Sequence, residues 1–288
     1  MKIKSLTRTL ALLLIVQFTS SLQMNAQALK TPAPSPLQTI DQAFALSNMK
    51  IEYSRPSVKG RVIFGDLVPF GKIWRTGANS ATKITFGDDV KVEGLALKAG
   101  TYAMYTIPNK DSWEILFYKD LTLGGNVADY KAADEVLRVK GKVAASSSKV
   151  ETFTINITDM SAISANVEFA WDMTKVSFNV TTEIDEKVMK NIDAALEKDS
   201  RPYFQAANYY YENNKDLTKA LAWVNTAIEQ NPKAYWMSHL KAKIQVKMKD
   251  SKGAIESAEK SMALAKEDGN DDYVKLNEKL IKDAKGGK

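Results

Sequence analysis

The sequence predicts two folds in one chain. An antiparallel β-sandwich, jelly-roll or immunoglobulin-like, is expected over residues 37–182, and an α-helical array over 183–288. Three observations carry this. Short runs of apolar-polar alternation recur through the first region, as half-buried strands require. Turn residues separate those runs at short intervals, the pattern of a sandwich. At Thr182 the period changes: Ile184, Val188, Ile192 and Leu196 recur every four residues, one face of a helix.

The N-terminus belongs to neither fold. Lys2, Lys4 and Arg8 make a basic start, Leu10 to Val16 an apolar run, and Ala26-Gln27-Ala28 an A-x-A cleavage site. This reads as a signal peptide over residues 1–28, so the mature chain is expected in the periplasm or secreted. The apolar run is too short for a bilayer core of about 30 Å. The Pro-rich segment 29–36 is an extended lead-in.

Composition excludes several chemistries. There is no Cys, hence no disulfide, no thiolate nucleophile, no Cys-liganded zinc and no Cys-linked lipid anchor. The single His, His239, rules out two-His and three-His metal sites. No phosphate loop, dinucleotide fingerprint or calcium loop occurs, so neither a metal nor a cofactor is expected. The formal charge of +6 falls to +3 once the three cations of residues 1–28 are removed. That balance does not point to nucleic acid.

Along the β region, Met49, Ile51 and Tyr53 alternate, as do Ile84 and Phe86. Lys91–Glu93 and Leu95–Leu97 flank Gly94. Thr101–Ile107 and Trp113–Tyr118 flank a Pro-Asn-Lys-Asp turn, a hairpin signature. Gly124–Ala133 is less regular. Val136–Val143, then Phe153, Ile155 and Ile157, then Val167, Phe169 and Trp171, and last Val176, Phe178 and Val180 complete about eight or nine short strands.

Between the strands at Tyr53 and Ile84 lies a connection of roughly 27 residues, longer than compact domains usually tolerate without a function or internal packing. It carries an apolar seam, namely Val62, Ile63, Phe64, Leu67, Val68, Phe70, Ile73 and Trp74. An ordered, packed loop is therefore expected. Its polar residues Arg55, Lys59, Arg61, Arg75 and Asn79 are candidates for an anion or carbohydrate site, since guanidinium groups beside an amide suit carboxylate, sulfate or sugar hydroxyls. Trp74 joins them as a stacking platform. The competing reading makes Arg55 and Arg75 structural, tied to carbonyls or to Glu52 and Asp66, and makes Trp74 a core residue.

The helical region repeats itself. Phe204, Tyr211, Ala220, Val224, Ala227 and Pro232 fall at tetratricopeptide spacing, and 34 residues later Ala254, Ala258 and Ser261 match Ala220, Val224 and Ala227. The array is expected to be tetratricopeptide-like. Asn208 and Lys266 depart from that pattern, and Ser238 and Gln245 replace the aromatics of the first copy. Consecutive Tyr209, Tyr210 and Tyr211 cannot all face one core. Tyr209, Tyr210, Tyr235 and Trp236 are therefore candidates for binding a protein partner.

The segment SRPSVKGRVIFGDLVPFGKIWRTGAN, followed by KVEGLALKAGTYAMYTIP, closely resembles a family of exported bacterial domains catalogued as domain of unknown function 2911. The resemblance covers about residues 36–182. It implies domain limits and export, and no activity or catalytic residue. The leading expectation is a non-enzymatic envelope binding and scaffold protein. The rival is an envelope enzyme acting on carbohydrate through carboxylates such as Asp66 or Glu114 beside the cationic loop, which would need two carboxylates about 5–10 Å apart.

Overall fold

The computed structural model describes residues 31–197 and 202–286. The signal-peptide reading of residues 1–28 lies outside them. The chain divides into two compact units between Thr182 and Glu183.

Among the described residues the first unit holds nine strands: β1 (Leu37–Phe44), β2 (Ser47–Ser54), β3 (Ala78–Phe86), β4 (Val90–Val92), β5 (Leu95–Leu97), β6 (Gly100–Ile107), β7 (Trp113–Tyr118), β8 (Glu135–Thr158) and β9 (Ser164–Thr181). They form a sheet in the order β1-β2-β3-β6-β7-β8-β9-β4-β5, antiparallel throughout. Two strands are longer than the sequence pattern suggests. Val136–Val143 and Phe153–Ile157 belong to one strand, and Val167–Trp171 and Val176–Val180 to another. The ladder shifts register between Ala145 and Val150 and again before Thr154, and Asp172 takes a φ of 52°. Such bulges bend strands without ending them. The alternation lapses there, but the pairing resumes.

Alternation decides the faces. From β7, Trp113, Ile115 and Phe117 enter the main core, while Leu116 and Tyr118 enter a second cluster on the opposite face. The main core is aromatic at its centre. Trp74 stacks on Trp171 at 5.8 Å, and Trp113, Phe64 and Phe153 approach Trp74 edge-on. The second cluster holds Tyr105 and Tyr118, covered by Leu123, Val127 and Tyr130. The irregular segment seen in the sequence is thus a lid over the sheet, built on two short helical turns at Val127–Asp129 and Ala132–Asp134.

Among the described residues the second unit has six helices: α1 (Asp185–Glu197), α2 (Tyr203–Glu212), α3 (Leu217–Gln230), α4 (Tyr235–Lys247), α5 (Ser251–Glu267) and α6 (Asp271–Gly286). From α2 on, each helix packs on the next, and α4 also touches α2 and α6. Asp216 and Asp250 cap α3 and α5 by accepting first-turn N–H groups. All six positions of the 34-residue repeat, Ala220, Val224, Ala227, Ala254, Ala258 and Ser261, are buried. Gln245, in the place of an aromatic, accepts from Ser257 and donates to Asp250, so its amide is satisfied. Among the described residues no helix is long and apolar enough to cross a membrane.

Candidate functional site

The long connection is ordered, and its apolar seam divides. Ile63, Val68 and Trp74 are buried, and Phe64 packs on the core, whereas Val62, Leu67 and Phe70 are exposed. Trp74 exchanges both backbone hydrogen bonds with Thr106, at 2.8 and 2.9 Å, and its indole N–H donates to the Gly77 carbonyl. As a core side chain with 9% exposure it offers no stacking platform to a ligand. Gly77 sits at φ 152°, where an added Cβ would meet the Ser54 carbonyl at 3.0 Å. Only glycine lets the returning chain come this close to β2.

Two of the cationic candidates, Arg55 and Arg61, are tied to main-chain carbonyls. Arg55 donates to the Phe153 carbonyl at 3.1 Å and to Thr154 Oγ1 at 2.7 Å, fastening β2 to the far half of β8. Arg61 donates to the carbonyls of Val58 and Ser57. Asn79 donates to Ser54 Oγ and to the Ser35 carbonyl. Arg75 is half-buried beneath the Gly124-Gly125 turn, and its Nε is buried without a hydrogen bond. Lys59 is exposed, and only its backbone N–H is engaged, on Glu151. No hydrogen bond joins Arg55, Arg75 and Asn79 to one another among the described residues. They form a seam of ties along the loop ends.

An unforeseen charged cluster lies on β7 and β8. Arg138 bonds both oxygens of Glu135, at 3.0 and 2.6 Å, and Glu114 at 2.6 Å. The guanidinium holds the Glu135 carboxyl below the usual range. Together with Glu93, Leu95 and Lys140, Glu114 and Arg138 line a hollow of about 440 Å³. Register alone made this cluster. Arg138 pairs with Leu116, which places Glu114 diagonally beside it. No spacing along the chain announces that contact. Nearby, burial first, then Tyr118 and Asp120, push the Tyr105 hydroxyl up to about 12.

In the helical unit the four partner candidates separate. Tyr210 is buried against Trp223, and Tyr235 is buried with its hydroxyl accepting from Asn270. Both are packing residues, because their helices turn those positions inward. Tyr209 is half-buried and donates to Asp185 at 2.9 Å. Trp236 is 39% exposed and lines a hollow of about 400 Å³ with Phe204, Gln205, Gln230 and Met237.

A richer surface runs across α2, α4 and α6. Tyr211, His239, Lys243, Val246, Lys247, Leu276 and Lys279 line a groove of about 300 Å³. Lys247 and Lys243 stand 4.1 and 4.6 Å from the Tyr211 ring centre, within cation-π range; Lys247 also donates to the Tyr211 carbonyl and Asn214, Lys243 pairs with Glu212 at 3.3 Å, and Asp283 shares the lining. Val246 and Leu276 are exposed at 37% and 47%. His239 donates its Nδ1–H to Asn277 Oδ1 at 2.7 Å, and burial lowers its pKa. Tyr211, Lys243 and Lys247 are not among the partner candidates that the sequence offers; the four-residue spacing of the two lysines on α4 is the one local signal for them. Among the described residues no group of three or more metal-ligating side chains occurs.

An antiparallel β-sheet domain followed by a helical domain, with a basic, partly apolar groove, defines a two-domain architecture rather than a recognised catalytic centre. The β domain places it: the family described as "Protein of unknown function (DUF2911)" matches residues 35–180, half of the chain, and the chain belongs to that family. No curated protein and no solved structure matches it.

Proposed function

We propose that this chain is an exported binding and scaffold protein of the cell envelope, periplasmic or secreted, with no enzymatic activity of its own. Its β domain is a sandwich that folds over the aromatic core. Its helical domain is a tetratricopeptide-like array that presents a protein-binding groove. The observation that carries this is the groove of Tyr211, Lys243, Lys247, Val246 and Leu276. It pairs cations with exposed apolar side chains, the complement of an acidic peptide segment with apolar anchors. The burial of all six repeat positions supports the array. The enzyme reading draws less support, because Glu114 is engaged by Arg138 and Asp66 lies exposed in the long loop.

Selection of random displayed peptides on the full chain tests the groove. Enriched peptides are expected to carry acidic residues beside apolar ones. Lys243→Glu combined with Lys247→Glu should weaken the best of them at least about tenfold with an unchanged melting transition. Peptides without acidic preference, or binding indifferent to the two lysines, would remove the groove from the account. Export is tested separately by N-terminal sequencing of the protein from its host, with a start expected near residues 27–29.

A further inference from the structure

The division of the apolar seam leaves one part without a packing role. Residues 59–72 are exposed except for Ile63, Phe64 and Val68. Those three fasten the segment to the core. The rest is a solvent-exposed turn. It is rigid: Leu67 N–H donates to the Val62 carbonyl, Val68 N–H to Ile63, and Gly65 N–H to Val68. Gly65 takes a φ of 96°, and a Cβ there would lie 2.9 Å from the Phe70 ring. The Phe70 ring is therefore laid over the turn.

The outcome is an exposed turn carrying Val62 at 65%, Leu67 at 44% and Phe70 at 37% exposure. Lys59, Arg61 and Lys72 surround it, against a single acid, Asp66. The Lys59 and Lys72 ammonium groups have no ion-pair partner among the described residues, and Glu151 beside Lys59 takes its backbone N–H. Ordering a turn so that aliphatic and aromatic side chains face outward opposes the hydrophobic effect unless something covers them.

We propose that this turn docks on the surface of an anionic phospholipid bilayer. Val62, Leu67 and Phe70 enter the interfacial layer, and Lys59, Arg61 and Lys72 meet the headgroups. The charge balance favours an anionic bilayer: within the segment three cations, Lys59, Arg61 and Lys72, accompany the exposed apolar side chains, against one acid. Cations flanking an apolar tip match the two forces that hold peripheral proteins on negatively charged leaflets. The inference is independent of the helical groove and of its occupant.

The absence of cysteine makes the test local. Leu67→Cys in the full chain gives a single attachment point for a nitroxide spin label. Its accessibility to oxygen and to a water-soluble nickel complex reports depth at that residue alone, whatever the N-terminal apolar run does. With vesicles of equal phosphatidylglycerol and phosphatidylcholine, the label should move from water to the interface. With phosphatidylcholine alone it should stay in water. Adding Lys59→Glu and Lys72→Glu, with the melting transition unchanged, should lower partitioning to the anionic vesicles at least about tenfold. A label placed by Leu121→Cys should remain in water throughout. A Leu67 label that stays in water on anionic vesicles would overturn the proposal. So would equal burial on neutral vesicles, indifference to the two lysines, or burial only when a protein is added.

Discussion

The two units solve the same problem with opposite materials. The β domain fills its interior with large rings: Trp74, Trp113, Trp171, Phe153, Phe169 and Phe178 are all buried. The helical domain fills its own largely with Ala206, Ala207, Ala220, Ala254, Ala258, Ala265 and Ser261. A sheet presents side chains from alternate positions to one face, and in this domain large rings from several strands meet there. Helices that meet along small residues bring their axes to the near end of the 8–10 Å range, and little more than a methyl group fits. Cavities should therefore be the main hazard in the first unit, and crowding in the second.

Trp74→Ala should break the first half of that comparison with the largest effect. The ring touches Trp171, Trp113, Phe64 and Phe153, so its loss should cost about 3–5 kcal/mol in denaturant unfolding followed by near-ultraviolet dichroism. A cost below about 1 kcal/mol would mean that the rings close over the gap.

Ala258→Leu tests the second half. Ala258 is fully buried, and the added carbons should cost about 1–3 kcal/mol by overpacking. The transition to follow is the helical one, by far-ultraviolet dichroism at 222 nm. Unchanged stability would show slack between α5 and its neighbours and would dissolve the contrast.

Ser261→Ala sharpens it further. Its hydroxyl donates to the Tyr235 carbonyl at 2.7 Å and accepts from the Asn277 amide at 2.9 Å. Removing it at nearly constant volume should cost about 1–2 kcal/mol, because a buried amide proton loses one acceptor. Crowding and hydrogen bonding are thereby separated at neighbouring sites.

The smallest effect is the pH dependence of the helical unit. Burial, with Lys243 adding to it and the Asn277 hydrogen bond opposing it, holds the His239 pKa below its ordinary 6.5. Below 6.5 the unfolded chain then binds more protons than the folded one. The stabilisation is complete above pH 6.5 and is lost as the pH falls toward the folded pKa. His239→Gln should flatten that slope in melting curves between pH 7.5 and 5.5. An equal slope in the variant would assign it to carboxylates.

Legibility differed between the units for reasons that particular residues show. The hairpin of β6 and β7 was readable from Thr101–Ile107, Pro108–Asp111 and Trp113–Tyr118, because both strands alternate and a turn of fixed chemistry joins them. The full lengths of β8 and β9 were not, because bulges near Ser146 and Asp172 interrupt alternation while leaving the pairing intact. The 34-residue repeat was readable because close helix contact demands small residues at fixed positions. The groove was not. Tyr210 and Tyr235 face inward, and the groove instead takes Tyr211 from α2, Lys243 and Lys247 from α4 and Leu276 from α6, three helices far apart in sequence.

What the chain's order of residues determined by itself was local. It set strand and helix periods, the turn between β6 and β7, the small-residue seam of the repeat and the β domain's family membership. These follow from backbone geometry and from contacts a few residues apart. Only the tertiary structure decided which face each exception took. It sent Trp74 inward and Val62, Leu67 and Phe70 outward from one continuous apolar seam. It spent Arg55 on the β8 backbone and set Glu114 against Arg138. Apolar patterning shows that a side chain prefers burial, but the space to bury it is made by strands distant in sequence. In this loop the main core had room for Ile63, Phe64, Val68 and Trp74, the second cluster took Ile73, and Val62, Leu67 and Phe70 were left outside.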